Sequence, residues 1–315
     1  MLKFSRLFAL LALLAVGLLA GCGSDDESGG GSSGGTSEDP TALLKKAMAA
    51  EVESGELKVA ASFDVKGSSK VSGPVSVTLE GPFKSRGKEQ LPLLDWDVSL
   101  SGAGQNFSGG IVATEDNAFV KFRGQTYEVG KQLYEQFVRQ QAQQTKSGPQ
   151  SLKELGIDPS AWLQDPKLSD GESIGGSATR KVTGQIDVEK MVDDVLKAAE
   201  SPAVRKQLQS SGQSVPEVSD ADKQKVVDAV EKADLTVNVD DDDIARKVVL
   251  SATFKVPEGV DADGATGGSF ELSYELPKVG GDVDITAPSD AKPLALLLQQ
   301  LGLGAGMPGG GLKTQ

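Results

Sequence analysis

Apolar residues recur along this chain with two periods, and the switches between them mark out the elements. Behind Pro40, the residues Leu43, Leu44, Ala47, Met48 and Val52 fall at helical spacing, which predicts a helix from Thr41 to about Glu53. Alternation then takes over. Leu57, Val59, Ala61, Phe63 and Val65 are separated by mostly polar residues, and Val75, Val77 and Leu79 repeat the pattern up to Pro82. Trp96, Val98 and Leu100 predict a third strand, Ile111 with Ala113 a fourth, and Ala118, Val120 and Phe122 a fifth. A short strand around Tyr127 follows. Gly102, Gly109, Asp116-Asn117 and Gly124 supply turn chemistry at the joints, so antiparallel neighbours with short connections are the economical arrangement.

A helical section comes next, over Lys131 to Gln144, Ser151 to Leu155 and Pro159 to Leu163. Ala178 to Asp187 predicts another strand, with Val182 and Ile186 on its apolar side. Val188 to Leu208 returns to helical spacing and is divided by Pro202. Ser219 is an N-cap for a helix running to about Ala233. Three clean alternations follow, through Leu235, Val237 and Val239, then Val248 to Val256, then Phe270, Leu272, Tyr274 and Leu276. A helix from Pro293 to Leu301 precedes a Gly-rich tail. The fold class is α+β: a long, twisted antiparallel sheet with helices gathered on one face. Nearly every strand has one apolar face, and something must cover it.

Composition narrows the chemistry. The chain has 315 residues, no histidine, one cysteine and a net charge of −13. Such acidity repels nucleic acid, and no basic stripe reverses it. Without histidine or a second cysteine there is no Ser-His-Asp or Cys-His arrangement, no thiolate zinc site and no disulfide framework. No catalytic constellation stands out, so no enzyme activity, cofactor or metal is expected. Asp240 to Asp243 lacks the spacing, central Gly and distal Glu of a calcium loop and reads as a solvated hairpin turn.

The N-terminus carries its own message. Lys3 and Arg6 precede an apolar run from Leu7 to Ala20. As a helix that run rises about 21 Å, short of a hydrocarbon core of about 30 Å, which suits an export signal better than a permanent span. It ends in Leu19-Ala20-Gly21-Cys22, which resembles the bacterial lipobox. That resemblance implies cleavage after residue 21, a diacylglyceryl group on Cys22, and attachment to the outer face of the cell membrane. Each buried methylene contributes about 0.8 kcal/mol, and two or more acyl chains give stable anchoring. Residues 22–40 are Gly, Ser and acidic residues, a flexible tether that sets the domain about 20–25 Å from the bilayer. The folded domain is expected over 41–302, with the tail at 303–315.

Specific segments carry a wider resemblance. They are Asn117 to Tyr127 (NAFVKFRGQTY), Leu155 to Leu163 (LGIDPSAWL), Glu172 to Asp187, Leu235 to Asp240 leading into Arg246 to Leu250, and Val283 to Pro288. In this order they resemble the LppX/LprAFG-like actinobacterial lipoproteins, within the LolA/LolB-like half-barrel group. The resemblance implies a curved half-barrel sheet with helices packed on its concave face and an apolar cavity between them. It implies a lipid or lipoglycan ligand and a transport protein of the envelope as a further partner. The cavity candidates are Phe63, Trp96, Phe122, Leu250, Phe254, Phe270, Leu272 and Tyr274, which alternation alone equally allows to be filled core. A sixteen-carbon chain gains about 13 kcal/mol on leaving water, so only a deep dry pocket competes with a bilayer for it. The alternative to a carrier is a surface sensor or scaffold that binds a protein partner.

Overall fold

The computed structural model describes residues 38–68, 73–87, 90–102, 104–145, 155, 157–202, 204–205, 218–258, 260 and 262–302. The signal expected at 1–21, Cys22, all but the end of the expected tether, most of the helix expected at Ser151 to Leu155, the piece expected to reach Leu208 and the tail 303–315 lie outside the described residues.

Twelve strands form one open sheet. They are β1 (Ser54–Lys66), β2 (Val75–Lys84), β3 (Leu93–Gly102), β4 (Gln105–Ala113), β5 (Ala118–Phe122), β6 (Gln125–Glu128), β7 (Leu163–Asp170), β8 (Arg180–Ile186), β9 (Val230–Val239), β10 (Ala245–Lys255), β11 (Gly267–Val279) and β12 (Lys292–Pro293). Their order is β12-β6-β5-β4-β3-β2-β1-β11-β10-β9-β8-β7. All neighbours are antiparallel except β12, which runs parallel to β6 for two residues. The helices among the described residues are α1 (Pro40–Ala49), α2 (Lys131–Thr145), α3 (Val188–Glu200), α4 (Asp220–Ala229) and α5 (Leu294–Gln300), with a 3₁₀ turn at Pro159–Trp162. The fold is α+β, as the alternation predicts.

Register turns that alternation into rows across the sheet. Val182, Val237, Val248, Tyr274, Val59, Leu79 and Val98 follow one another from β8 to β3. One step toward β5, Trp96, Ile111 and Val120 make a further apolar row. The opposite face is mostly polar over β1–β3 and β10–β11, whereas on β4–β5 it carries buried Val112 and Phe119. Lys58 faces Glu80 at 3.8 Å, Lys247 faces Glu275 at 3.7 Å, and Ser76 and Thr78 share hydrogen bonds with Ser101 and Ser99. Lys121 on β5 reaches over β4 to Asp95 and to Asp97 at 2.9 Å on β3. Gly110 lies under that crossing, where a Cβ would meet Lys121 Cδ at 2.9 Å and Asp97 Oδ1 at 3.0 Å.

Helices cover the apolar face on the β7–β10 side. Leu43, Leu44 and Ala47 of α1 pack on Val182, Val237 and Val239. Met191 and Val192 of α3, with Trp162 and Ile157, pack on Ile186 and Ala233, and Val226 and Val227 of α4 join them. Asp39, Asp187 and Ser219 cap α1, α3 and α4 by accepting from backbone N–H groups, so these helices start where the sequence supplies a short oxygen-bearing side chain.

Several elements differ from the sequence expectation, among them β2, which runs on through Pro82 to Lys84. Helix α1 stops at Ala49 instead of Glu53, because the Glu53 carbonyl accepts from Ser85 N–H at 2.6 Å and belongs to the sheet. Helix α4 stops at Ala229, and the chain from Val230 joins the ladder to β10 instead of continuing to Ala233. Strand β7 has no counterpart in the sequence reading. Between Gln164 and Lys167 its register shifts, with Asp165 at φ 44° and Pro166 forming a bulge.

One end of the sheet acts as a rim. Arg180 pairs with Val239, Val239 with Ala245, Gly55 with Val279, Ser54 with Lys84, Lys84 with Leu93, Leu94 with Ala113, Ala113 with Ala118, and Phe119 with Glu128. All of these residues therefore lie at the same strand end. A bulge on this rim, at Arg246, lifts that residue out of the β9–β10 ladder.

Candidate functional site

Beyond the reach of α1, α3 and α4, the apolar face changes character. Val77, Leu100, Phe107 and Ile111 on β2–β4 are each between 40 and 46% exposed. In register, Val77 pairs with Leu100 and Leu100 with Phe107, so three of the four form one row. Scattered exposed apolar residues are ordinary, but a contiguous row on an otherwise core-like face marks a surface that binds something.

At the rim end of this strip, α2 leans over β3–β5 and borders a half-open cavity of about 540 Å³. The floor is Leu94, Ile111, Ala113 and Ala118, the roof Leu133, Tyr134 and Phe137, and Leu91 and Pro92 close one side. The volume falls in the range of about 300–1,000 Å³ that small ligands use. From Leu94 to Leu100 the strip continues six residues along β3, about 20 Å at about 3.3 Å per residue.

The roof is fixed by polar contacts at its start. Tyr134 Oη donates to the Thr114 carbonyl at 3.1 Å, and burial pushes its phenol up, against the opposing charge of Arg86. Gly130 N–H donates to Asn117 Oδ1 at 3.0 Å, and Asn117 Nδ2 donates to Glu128 at 2.7 Å. Lys131 pairs with Asp116. Asn117 thus ties the β4–β5 turn to the start of α2. Further along, Leu133 and Phe137 are 40 and 54% exposed, so the apolar stripe of α2 is only partly covered.

The eight candidates from the sequence lie on the apolar face, but none lines this cavity. Leu250 packs into the helix-covered core and Leu272 is buried. Phe63 and Phe254 stack, with ring centroids 5.6 Å apart and planes 9° from parallel. They flank β11 where Gly268 leaves room, since a Cβ there would meet Phe254 Cζ at 2.7 Å. Phe270 pairs with Phe63 in register and Tyr274 with Val59. Phe122 meets Phe107 at 5.5 Å, under the guanidinium of Arg123. Trp96 is the candidate nearest to the cavity in register, opposite Ile111 on β4. Its indole N–H is buried and has no partner among the described residues.

The cavity residues that the sequence reading missed had a signal. Leu133, Tyr134 and Phe137 form a narrow apolar stripe on a helix whose other residues are mostly Gln, Glu, Lys and Arg. Their partners on the sheet are small, Ala113 and Ala118, and it is this pairing of large with small that leaves space.

Two acidic side chains of the β9–β10 turn, Asp240 and Asp243, are used internally. Asp240 Oδ1 accepts from the backbone of Asp242 and Ile244, its Oδ2 faces Arg246, and Asp243 faces Arg180 and Lys46. Among the described residues no group of three His, Cys, Asp or Glu is placed to hold a metal, and no helix is long and apolar enough to cross a membrane.

No protein-family model and no curated protein matches this sequence. Among solved structures the chain is similar to lipoprotein LppX of Mycobacterium tuberculosis, at 13% identity over 78% of this chain and 98% of that one, with a TM-score of 0.35. It is similar to LprF of Mycobacterium bovis, at 12% identity over 79 and 96%, with a TM-score of 0.34. A DUF1329 family protein from Desulfovibrio piger follows at 9% identity over 75 and 91%, with a TM-score of 0.19. The first two bear the names of the lipoprotein group that the sequence segments resemble.

Proposed function

We propose that this chain is an exported lipoprotein, held at the outer face of the cell membrane through acylated Cys22, that binds the acyl chains of a lipid or lipoglycan and carries them. The observation that supports the reading is the half-covered apolar face: a cavity of about 540 Å³ under α2 that runs into a strip of exposed aliphatic and aromatic side chains. The mechanism is sequestration. Methylenes leave water for the floor of β3–β5 at about 0.8 kcal/mol each, and the polar head stays at the rim.

Native mass spectrometry and lipid extraction of protein purified from its own host test this reading. Stoichiometric lipid is the expected result. Protein that carries no adduct and yields no lipid overturns it.

The exposed row Val77, Leu100 and Phe107 favours a second reading, a scaffold or sensor whose apolar strip docks a protein partner. In that case the strip is covered by protein, and lipid recovery stays at background.

A further inference from the structure

The chain enters the described fold at a defined point. Glu38 accepts from Arg180 Nη1 at 2.6 Å, and the same guanidinium donates through Nη2 to the Asp240 carbonyl at 2.9 Å and Asp243 Oδ1 at 3.0 Å. Asp39 then caps α1, whose Leu43 and Leu44 are fully buried. The entry is therefore clamped to the β9–β10 turn and cannot wander over the domain.

That clamp sits on the rim, because Arg180 opens β8 and Asp240 follows the end of β9. The cavity lies on the same rim. Leu94, Ala113 and Ala118 are the terminal pairs of β3, β4 and β5, and Leu91, Pro92 and Val129 lie just outside them. From β8 to β4 is seven strand steps, about 34 Å along the sheet at about 4.8 Å each. The far end, by contrast, is a full strand length away. Thirteen residues of β1 span about 40 Å.

We propose that this shared rim is the membrane-facing end of the domain, so that a lipid passes between the bilayer and the cavity without rounding the sheet. The inference rests on the anchoring of Cys22 proposed above. The tether between Cys22 and Glu38 averages about 20–25 Å, less than the strand length, so the clamped end stays nearer to the bilayer than the opposite end does. The rim itself is uneven. Asp241 and Asp242 are exposed beside the clamp, which keeps that corner off anionic head groups. At the cavity corner, exposed Leu133 and Phe137 stand on α2, and Arg86 donates to the Glu115 carbonyl, a cation beside the exposed carboxylates of Glu115 and Asp116. The cavity corner is thus the part of the rim suited to touching phospholipid.

The test uses the full acylated chain on vesicles of phosphatidylcholine and phosphatidylglycerol carrying a head-group nitroxide. A fluorophore is attached at Gln90→Cys on the rim or at Gln105→Cys at the far end, both exposed positions. Acylated Cys22 carries no free thiol and does not compete for the label. The rim label is expected to be quenched several-fold more strongly than the far label. Equal quenching, or stronger quenching at Gln105→Cys, overturns the orientation while leaving the anchor intact. Vesicle binding that is unchanged in Cys22→Ser overturns the anchoring reading, and the orientation with it.

Discussion

Arg246 and Asp240 form an ion pair of 3.1 Å in which each side chain is only 6% exposed. The guanidinium also donates to the carbonyls of Leu276 at 2.8 Å and Pro277 at 3.0 Å and to Ser177 Oγ at 3.2 Å. One side chain thereby joins the β9–β10 turn, the end of β11 and the 174–177 turn. Arg246 sits at the register shift between Ala245 and Lys247, outside the paired ladder. Arg246→Met leaves Asp240 buried without its counter-charge and is expected to lower stability by about 3–5 kcal/mol. The denaturation midpoint in urea checks this, with an unchanged slope showing that the fold itself persists.

Two adjacent glycines in the turn that Arg246 holds differ in what surrounds them. At Gly175, with φ 57°, a Cβ would lie 1.6 Å from the Pro277 carbonyl oxygen, whereas at Gly176, with φ 90°, it would meet nothing within 4 Å. Gly176→Ala is expected to cost about 1–2 kcal/mol, the penalty of the left-handed backbone alone. Gly175→Ala must in addition push the turn off β11, so its loss is larger. Thermal melts of the two variants, run side by side, give the ordering.

Binding and folding separate on the two halves of the apolar face. Phe137 is 54% exposed on α2, so Phe137→Asp is expected to change stability by less than about 0.5 kcal/mol. The same substitution sets a charge in the cavity roof and is expected to lower lipid recovery at least ten-fold. Leu250 lies under the helices, and Leu250→Ala is expected to cost about 2 kcal/mol with lipid recovery unchanged. Lipid extraction and urea titration of both proteins check the contrast.

Acid should loosen the α3 side. Asp194 is partly buried, which pushes its carboxyl up, but the donated bonds from Trp162 Nε1 at 2.8 Å and Lys190 Nζ at 2.9 Å outweigh this and hold it below the ordinary carboxylate value. A carboxyl depressed in the folded state contributes stability above its unfolded pKa of about 3.9 and loses it as pH falls through the lower folded value. The expected outcome is a fall in stability below about pH 4 that is shallower in Asp194→Asn. Urea midpoints followed by tryptophan fluorescence across that window measure it.

The strands were legible because one face is apolar and the other charged, as Val59, Ala61 and Phe63 alternating with Lys58, Ser62 and Asp64 show. Strand β7 was not, and its bulge explains why. Leu163 and Leu168 are five apart, which puts them on opposite faces of a regular strand, yet they pair with Ile186 and Val182 on the same face. The extra residue at Asp165-Pro166 reverses the alternation between them. In α4 and β9, Val226, Val227, Val230 and Ala233 suit either period, and the ladder to β10 decides between them. The cavity was illegible for a different reason. Pattern tells which side chains share a face, whereas a void depends on which small residues end up facing which large ones, here Ala113 and Ala118 beneath Phe137. The sequence pointed to the aromatic side chains of that face, and those mostly found partners in packing.

The bulge in β7 has a further consequence, because β7 is the last strand on its side of the sheet. Proline offers no amide hydrogen and Asp165 turns its backbone into the left-handed region, so the outer margin presents a broken template. At the other margin, β12 pairs with β6 for only two residues before the chain turns into α5. Neighbouring copies crowded onto a common plane would find no long ribbon to extend, and the domain stays a discrete unit where a smooth margin would invite fibres.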